Sequence, residues 1–173
     1  MGRVLDAGGG PRIVSWNVTA RCNLACAHCY IDADGEGSPG ELDTAEGMAL
    51  IDQIAAVGRP ILVLSGGEPL LRPDIFDLAR YAAGRGLRVA MGTNGILVTD
   101  AVAERLSDTG IRKVAVSIDS TDPGVHDAFR GVSGAWEKAV NGIRALRSAA
   151  VPVQIYTTIG EPDIGEIDRI IAF

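Results

Sequence analysis

Short apolar runs rich in β-branched residues recur along the chain, separated by longer stretches whose apolar residues return every three or four positions. The runs are Ile13–Thr19 (IVSWNVT), Ile61–Ser65 (ILVLS), Leu87–Thr93 (LRVAMGT), Lys113–Ile118 (KVAVSI) and Pro152–Thr158 (PVQIYTT). The middle ones are nearly continuous rather than alternating, the pattern of strands buried on both faces in a parallel sheet. The helical stretches between them carry end signals. Asp43-Thr44-Ala45-Glu46 has the form of a capping box, and Gly58 follows the apolar run as a stop. Pro73 suits a first helical turn with Gly84 near its far end; Thr99 or Asp100 caps a further helix that Gly110 closes. Ala135–Ala149 predicts a fourth helix with Trp136, Val140, Ile143 and Leu146 at core spacing, and Asp163–Phe173 predicts a fifth. Trp16 and Trp136 are expected as packing residues.

Strand and helix thus alternate, giving about five β-α units. This order predicts an α/β fold with parallel strands and right-handed crossovers. No internal repeat or linker divides the chain, so residues 1–12 are expected as an N-terminal extension and 13–173 as one domain. The final Ile170-Ile171-Ala172-Phe173 is apolar and uncapped. A helix of that kind is expected to pack on residues beyond this chain, making it a fragment.

With 16 Lys+Arg against 22 Asp+Glu and no basic run, the chain is not expected to bind nucleic acid. No apolar run approaches the ~18 residues of a membrane span, and the first residues, MGRVLDAGGGP, lack the apolar centre of a signal peptide. The expected compartment is the cytoplasm, where clustered cysteines signal metal or redox chemistry rather than disulfides.

Each predicted strand ends in a small or polar cluster: Thr19-Ala20-Arg21-Cys22, Ser65-Gly66-Gly67-Glu68-Pro69, Thr93-Asn94-Gly95, Ser117-Ile118-Asp119-Ser120 and Thr157-Thr158. In parallel α/β folds ligands bind at the carboxyl ends of the strands, so these clusters describe one site. All 3 cysteines fall in its first loop, as C-x3-C-x2-C at Cys22, Cys26 and Cys29. Thiolates favour zinc or iron–sulfur iron. By spacing alone three readings stand: a [4Fe-4S] cluster with one iron open to an outside ligand, a zinc site completed by His28, or structural thiols. A faint calcium-loop pattern at Asp32-x-Asp34-x-Glu36-Gly37 is rejected, because Pro39 interrupts it and Asp43 serves better as a helix cap.

The cysteine motif followed by Gly66-Gly67-Glu68-Pro69, Thr93-Asn94-Gly95, Ser117-Ile118-Asp119-Ser120 and His126-Asp127-Ala128-Phe129-Arg130-Gly131 resembles the radical S-adenosylmethionine (radical SAM) superfamily, from about Ser15 to about Thr158. The resemblance implies a partial (β/α)6 TIM-like barrel. It also implies that Cys22, Cys26 and Cys29 hold a [4Fe-4S] cluster whose fourth iron is chelated by S-adenosylmethionine (SAM). Gly66, Gly67 and Glu68 would meet the methionyl amine, Ser117 and Asp119 the ribose, and the His28 backbone the adenine. Asn94 would line the pocket, and Arg130 would pair with the SAM carboxylate. The implied chemistry is reductive cleavage of SAM to a 5′-deoxyadenosyl radical that abstracts hydrogen from a substrate, with electrons from a donor such as flavodoxin or ferredoxin. Within the superfamily the motifs resemble the branch with a C-terminal SPASM or twitch extension, whose substrates are haem-pathway precursors or peptides. Such enzymes carry auxiliary clusters on further cysteines, and none follows Cys29. The missing portion is therefore expected to hold the last barrel strand and any auxiliary-cluster domain. The rival reading is a non-catalytic iron–sulfur electron-transfer or binding module, which needs the thiols but not the GGEP turn.

Overall fold

The computed structural model describes residues 10–159 and 165–172. Its centre is a parallel five-stranded sheet in the order β1-β2-β3-β4-β5, so strands adjacent in sequence are adjacent in space. The strands are β1 (Ile13–Asn17), β2 (Ile61–Ser65), β3 (Arg88–Thr93), β4 (Lys113–Ser117) and β5 (Val153–Tyr156). The helices are α1 (Thr44–Ala56), α2 (Ile75–Gly84), α3 (Asp100–Asp108), α4 (Pro123–Arg130), α5 (Ala135–Ser148) and α6 (Glu166–Ala172). Five β-α units in one parallel sheet, with β1 and β5 at its edges, form a partial barrel of the expected class.

The apolar runs are buried unequally on their two faces. Leu62 and Leu64, Val89 and Met91, and Val114 and Val116 are fully buried in the core against the helices. The intervening Ser15, Val63, Ser65, Gly92 and Ser117 line a cavity instead. The near-continuous apolar pattern therefore reports one face packed under helices and one facing the interior of the barrel, and it is this second face that lines the cavity. Each fully buried aliphatic side chain contributes roughly 1.5–3 kcal/mol, so the helix-side face supplies much of the driving force.

The helix ends follow local chemistry. Asp43 and Glu46 form the capping box, with Glu46 N–H to Asp43 Oδ1 at 2.8 Å and Asp43 N–H to Glu46 Oε2 at 2.9 Å. Thr99, not Asp100, caps α3. The helix expected from Pro73 begins at Ile75, because the Asp74 side chain is drawn into an ion pair with Arg72 at 2.7 Å rather than capping it. Trp16 and Trp136 both pack against the core. The start at Asp163 and end at Phe173 expected for the last helix lie outside the described residues, as does most of the N-terminal extension.

One helix was not expected. In α4, Asp122 caps the first turn through Gly124 N–H (2.7 Å) and Val125 N–H (3.1 Å), Pro123 occupies the first turn, and Gly131 closes the helix at φ +72°. This Asp-Pro start and Gly stop were legible signals. The helix overlaps the His126-Asp127-Ala128-Phe129-Arg130-Gly131 motif, which serves both as helix and as motif.

Candidate functional site

The cysteine loop, residues 20–34, is irregular and is held by hydrogen bonds to two other loops. Gly67 N–H donates to the Thr19 carbonyl at 2.8 Å and Glu68 N–H to the Arg21 carbonyl at 2.7 Å. From the other side, Ala25 N–H donates to the Arg130 carbonyl at 3.2 Å and Ala27 N–H to that of Phe129 at 3.3 Å. The Gly66-Gly67 pair permits this approach. Gly66 adopts φ +142°, and a Cβ on Gly67 would run into the Arg21 carbonyl.

These contacts frame a cavity of about 380 Å³. Cys22, Cys26, Cys29, His28, Gly66, Gly67, Asn94, Ser117 and Arg130 all line it. Two of the expected residues do not. Glu68 is fully buried beneath the turn, where its carboxylate accepts from the Thr93 hydroxyl at 2.8 and 2.9 Å, Asn94 N–H at 2.8 Å and Leu70 N–H at 3.1 Å. The cavity side of the turn is presented by the two glycines, and Glu68 acts as the anchor behind them. Burial pushes the Glu68 carboxyl up to about 7 despite those donors.

The second is Asp119. Strand β4 ends at Ser117, so strand alternation no longer keeps the two side chains on one face. Asp119 turns to Arg130, accepting from Nε at 2.5 Å and Nη2 at 2.9 Å, and takes Thr158 N–H at 3.1 Å. Arg130 is correspondingly not a free cation. Burial works against its charge, but the Asp119 carboxylate holds the guanidinium firmly protonated. Its Nη1 points to Cys26 Sγ at 3.8 Å.

The remaining candidates keep their place with added partners. The His28 ring stacks on Phe129, centroids 4.0 Å apart and 10° from parallel, and burial followed by the Arg130 charge pushes its pKa down, which favours the uncharged ring. Asn94 lines the cavity while its Nδ2 donates to Asn23 Oδ1 at 2.7 Å. Sequence reasoning missed Thr93 as the partner of Glu68, His126 as the acceptor for Asp119 N–H (3.2 Å), and Glu166. The Glu166 carboxylate reaches from α6 to accept from Thr121 N–H at 2.5 Å and the Ser120 hydroxyl at 3.1 Å. Only Thr93 and His126 had a signal, lying inside motifs already quoted; Glu166 sits too far along the chain for any local pattern to connect it.

The donor chemistry fits an iron–sulfur cluster. All three thiols are free and partly exposed on one loop. Cys29 Sγ accepts Ala33 N–H at 3.3 Å, and Cys26 faces the Arg130 guanidinium, donors suited to thiolate sulfur. Burial pushes the Cys22 thiol up, with the Glu68 and Cys26 charges adding to it. Among the described residues no three of the His, Cys, Asp and Glu side chains are already gathered around a single point. The calcium-like stretch is a turn, in which Asp34 Oδ1 accepts Glu36 N–H at 2.9 Å and Gly37 N–H at 3.0 Å. No helix among the described residues is long and apolar enough to cross a membrane.

The family model of the radical SAM superfamily matches residues 16–173. This chain belongs to the radical SAM superfamily. It is 46% identical to an AdoMet-dependent heme synthase of Methanosarcina barkeri over 92% of this chain and 46% of that protein. It is 39% identical to a pre-heme d1 synthase of Dinoroseobacter shibae over 95% of this chain and 41% of that protein. The chain thus spans less than half the length of these relatives. Among solved structures, Streptococcus suis SuiB bound to S-adenosylmethionine superposes with a TM-score of 0.81 at 15% identity, covering 94% of this chain and 37% of that one. At that identity the likeness concerns the fold, and it is that of a radical SAM barrel.

Proposed function

We propose that this radical SAM domain binds a [4Fe-4S] cluster through Cys22, Cys26 and Cys29 and S-adenosylmethionine across the adjoining strand ends, and serves a haem-pathway reaction on a tetrapyrrole. The observation that carries the reading is the single cavity shared by the three free thiols, the Gly66-Gly67 backbone, Asn94 and Ser117. When bound, the two groups supply one-electron cleavage of the sulfonium and hydrogen-atom abstraction. The chain's own residues bind and orient. Gly66 and Gly67 bring main chain to the cavity wall, and Glu68 beneath them fixes the turn to β3. Ser117 offers a hydroxyl at the end of β4, and His28, stacked on Phe129, gives the cavity a neutral, flat wall. Leu24, Ile31 and Val63 on the same lining lower the local water content. The tetrapyrrole assignment is supported by the names of the relatives at 46% and 39% identity.

The test is anaerobic reconstitution with iron and sulfide, then dithionite reduction in the presence of SAM. About four irons per chain and formation of 5′-deoxyadenosine are expected. A protein that takes up one zinc and no iron–sulfur chromophore would overturn the reading. Addition of an iron porphyrin carrying propionates should raise 5′-deoxyadenosine output, whereas an unrelated peptide should not.

A further inference from the structure

Arg130 ends α4 and is only 9% exposed, so it is not a surface ion pair. One edge of its guanidinium, Nε and Nη2, is bound by both oxygens of Asp119, which leaves Nη1 directed at Cys26 Sγ, 3.8 Å away. The main chain fixes the same contact. Ala25 N–H and Ala27 N–H, which bracket Cys26, donate to the carbonyls of Arg130 and Phe129. A Cβ on Gly131, the next residue, would strike the Ala25 carbonyl, so the loop and the helix end meet without a spacer. Asp119 is in turn anchored by Thr158 N–H on Oδ1 and by its own N–H to His126 Nδ1. One of three sulfurs thus has a rigidly aimed, nearly buried cation beside it.

A buried ion pair contributes little net stability, because desolvation offsets most of the attraction. Its effect on a neighbouring charge is large for the same reason, since the medium around it screens weakly. An iron–sulfur cluster that accepts one electron becomes more negative, with part of the charge on its thiolates. Hydrogen bonds and cations at those sulfurs favour the reduced form.

We infer that Arg130, held in place by Asp119, is a positioning residue that donates a charge-assisted N–H···S hydrogen bond to the Cys26 thiolate and raises the reduction potential of the cluster. This rests on the cluster reading above. Asp119 sets the direction of the fork and binds the edge away from the sulfur, so the cation is the nearer charge. The electron transfer concerned is a single electron from an added chemical reductant to the oxidised cluster, with no bond made or broken in the protein.

The experiment is a dithionite titration of the reconstituted parent, Arg130→Lys and Arg130→Gln, followed by electron paramagnetic resonance, with circular dichroism to establish folding. The midpoint of Arg130→Gln is expected to fall well outside the spread of repeat titrations. Arg130→Lys, which keeps the charge but loses the fork, should lie between it and the parent. An Arg130→Gln midpoint equal to the parent's overturns the inference. If Arg130→Gln holds no cluster, Arg130→Lys decides: a lowered midpoint supports the inference and an unchanged one overturns it. Loss of the cluster or of the fold in both variants also overturns it, since Arg130 would then serve assembly rather than tuning. Failure of the parent itself to take a cluster would instead reject the proposed function.

Discussion

The Thr93 hydroxyl lies 2.8 and 2.9 Å from the two carboxylate oxygens of Glu68, joining the turn after β2 to the last residue of β3. Asn94 N–H completes the contact at 2.8 Å, and Glu68 N–H returns to the cysteine loop through the Arg21 carbonyl. A carboxylate in a motif that resembles a ligand-binding turn is thereby a keystone among three loops. Its burial makes it a pH-sensitive one.

Glu68 has a folded-state pKa of about 7 against an ordinary 4.5. A raised pKa means the folded form holds the proton more tightly. The associated stability is fully present below about pH 4.5 and is lost as pH rises through 7. Across that window the difference amounts to about 3 kcal/mol. Urea unfolding of the parent and of Glu68→Gln at pH 5 and pH 8 should show the parent losing stability relative to the variant at the higher pH. Parallel behaviour of the two proteins would show that Glu68 carries no such burden.

Gly67→Ala places a methyl group against the Arg21 and Ala20 carbonyls, which belong to the cysteine loop. Backbone cannot yield as a flexible side chain does, so the two loops must separate. Thermal melting should register a loss of about 1–3 kcal/mol. Iron incorporation should fall with it, because Cys22 follows directly on Arg21. Gly84→Ala, where a Cβ meets nothing within 4 Å, is the control and should leave iron content unchanged.

Cys26→Ala removes one partly exposed thiol whose loss opens no cavity in the core. The fold should persist, with a far-ultraviolet spectrum and melting midpoint close to the parent's. Iron–sulfur absorbance after reconstitution should drop to background. Retention of a full chromophore in Cys26→Ala would remove this residue from the ligand set.

Glu166 ties α6 to the loop after β4 by accepting from Thr121, Ser120 and Arg169, and the Thr121 amide first, then Arg169, hold its carboxyl down to about 2. A lowered pKa means its contribution is present above about 4.5 and is lost as pH falls through 2. At neutral pH, Glu166→Ala should accelerate hydrogen exchange of the amides in Glu166–Ala172 at least several-fold while leaving β3 protected. Equal exchange in the two proteins would show that α6 is held by something else.

Much of the fold was legible because its determinants are local. The strand runs, the Asp43–Glu46 box and the Thr99 cap each depend on residues a few positions apart. α4 is encoded as locally as the others, by Asp122, Pro123 and Gly131, although its residues also carry the motif. The cavity-lining set was largely anticipated, since strand-end clusters in a parallel sheet must fall on one edge.

By itself, then, the sequence determined the parallel α/β order, the edge of the sheet that bears the site, and the three thiols grouped on one loop. Periodicity, capping chemistry and cysteine spacing are short-range properties that survive without any tertiary information. Only the tertiary structure decided which polar groups face the cavity and which are held by neighbours. Glu68 and Asp119 look like ligand residues in the motif, yet burial next to Thr93 and Arg130 turned both inward. A buried carboxylate takes the donors that packing brings to it, and those donors lie 25 and 11 residues away along the chain. The same packing set Arg130 against Cys26 across 104 residues, a contact no local pattern encodes.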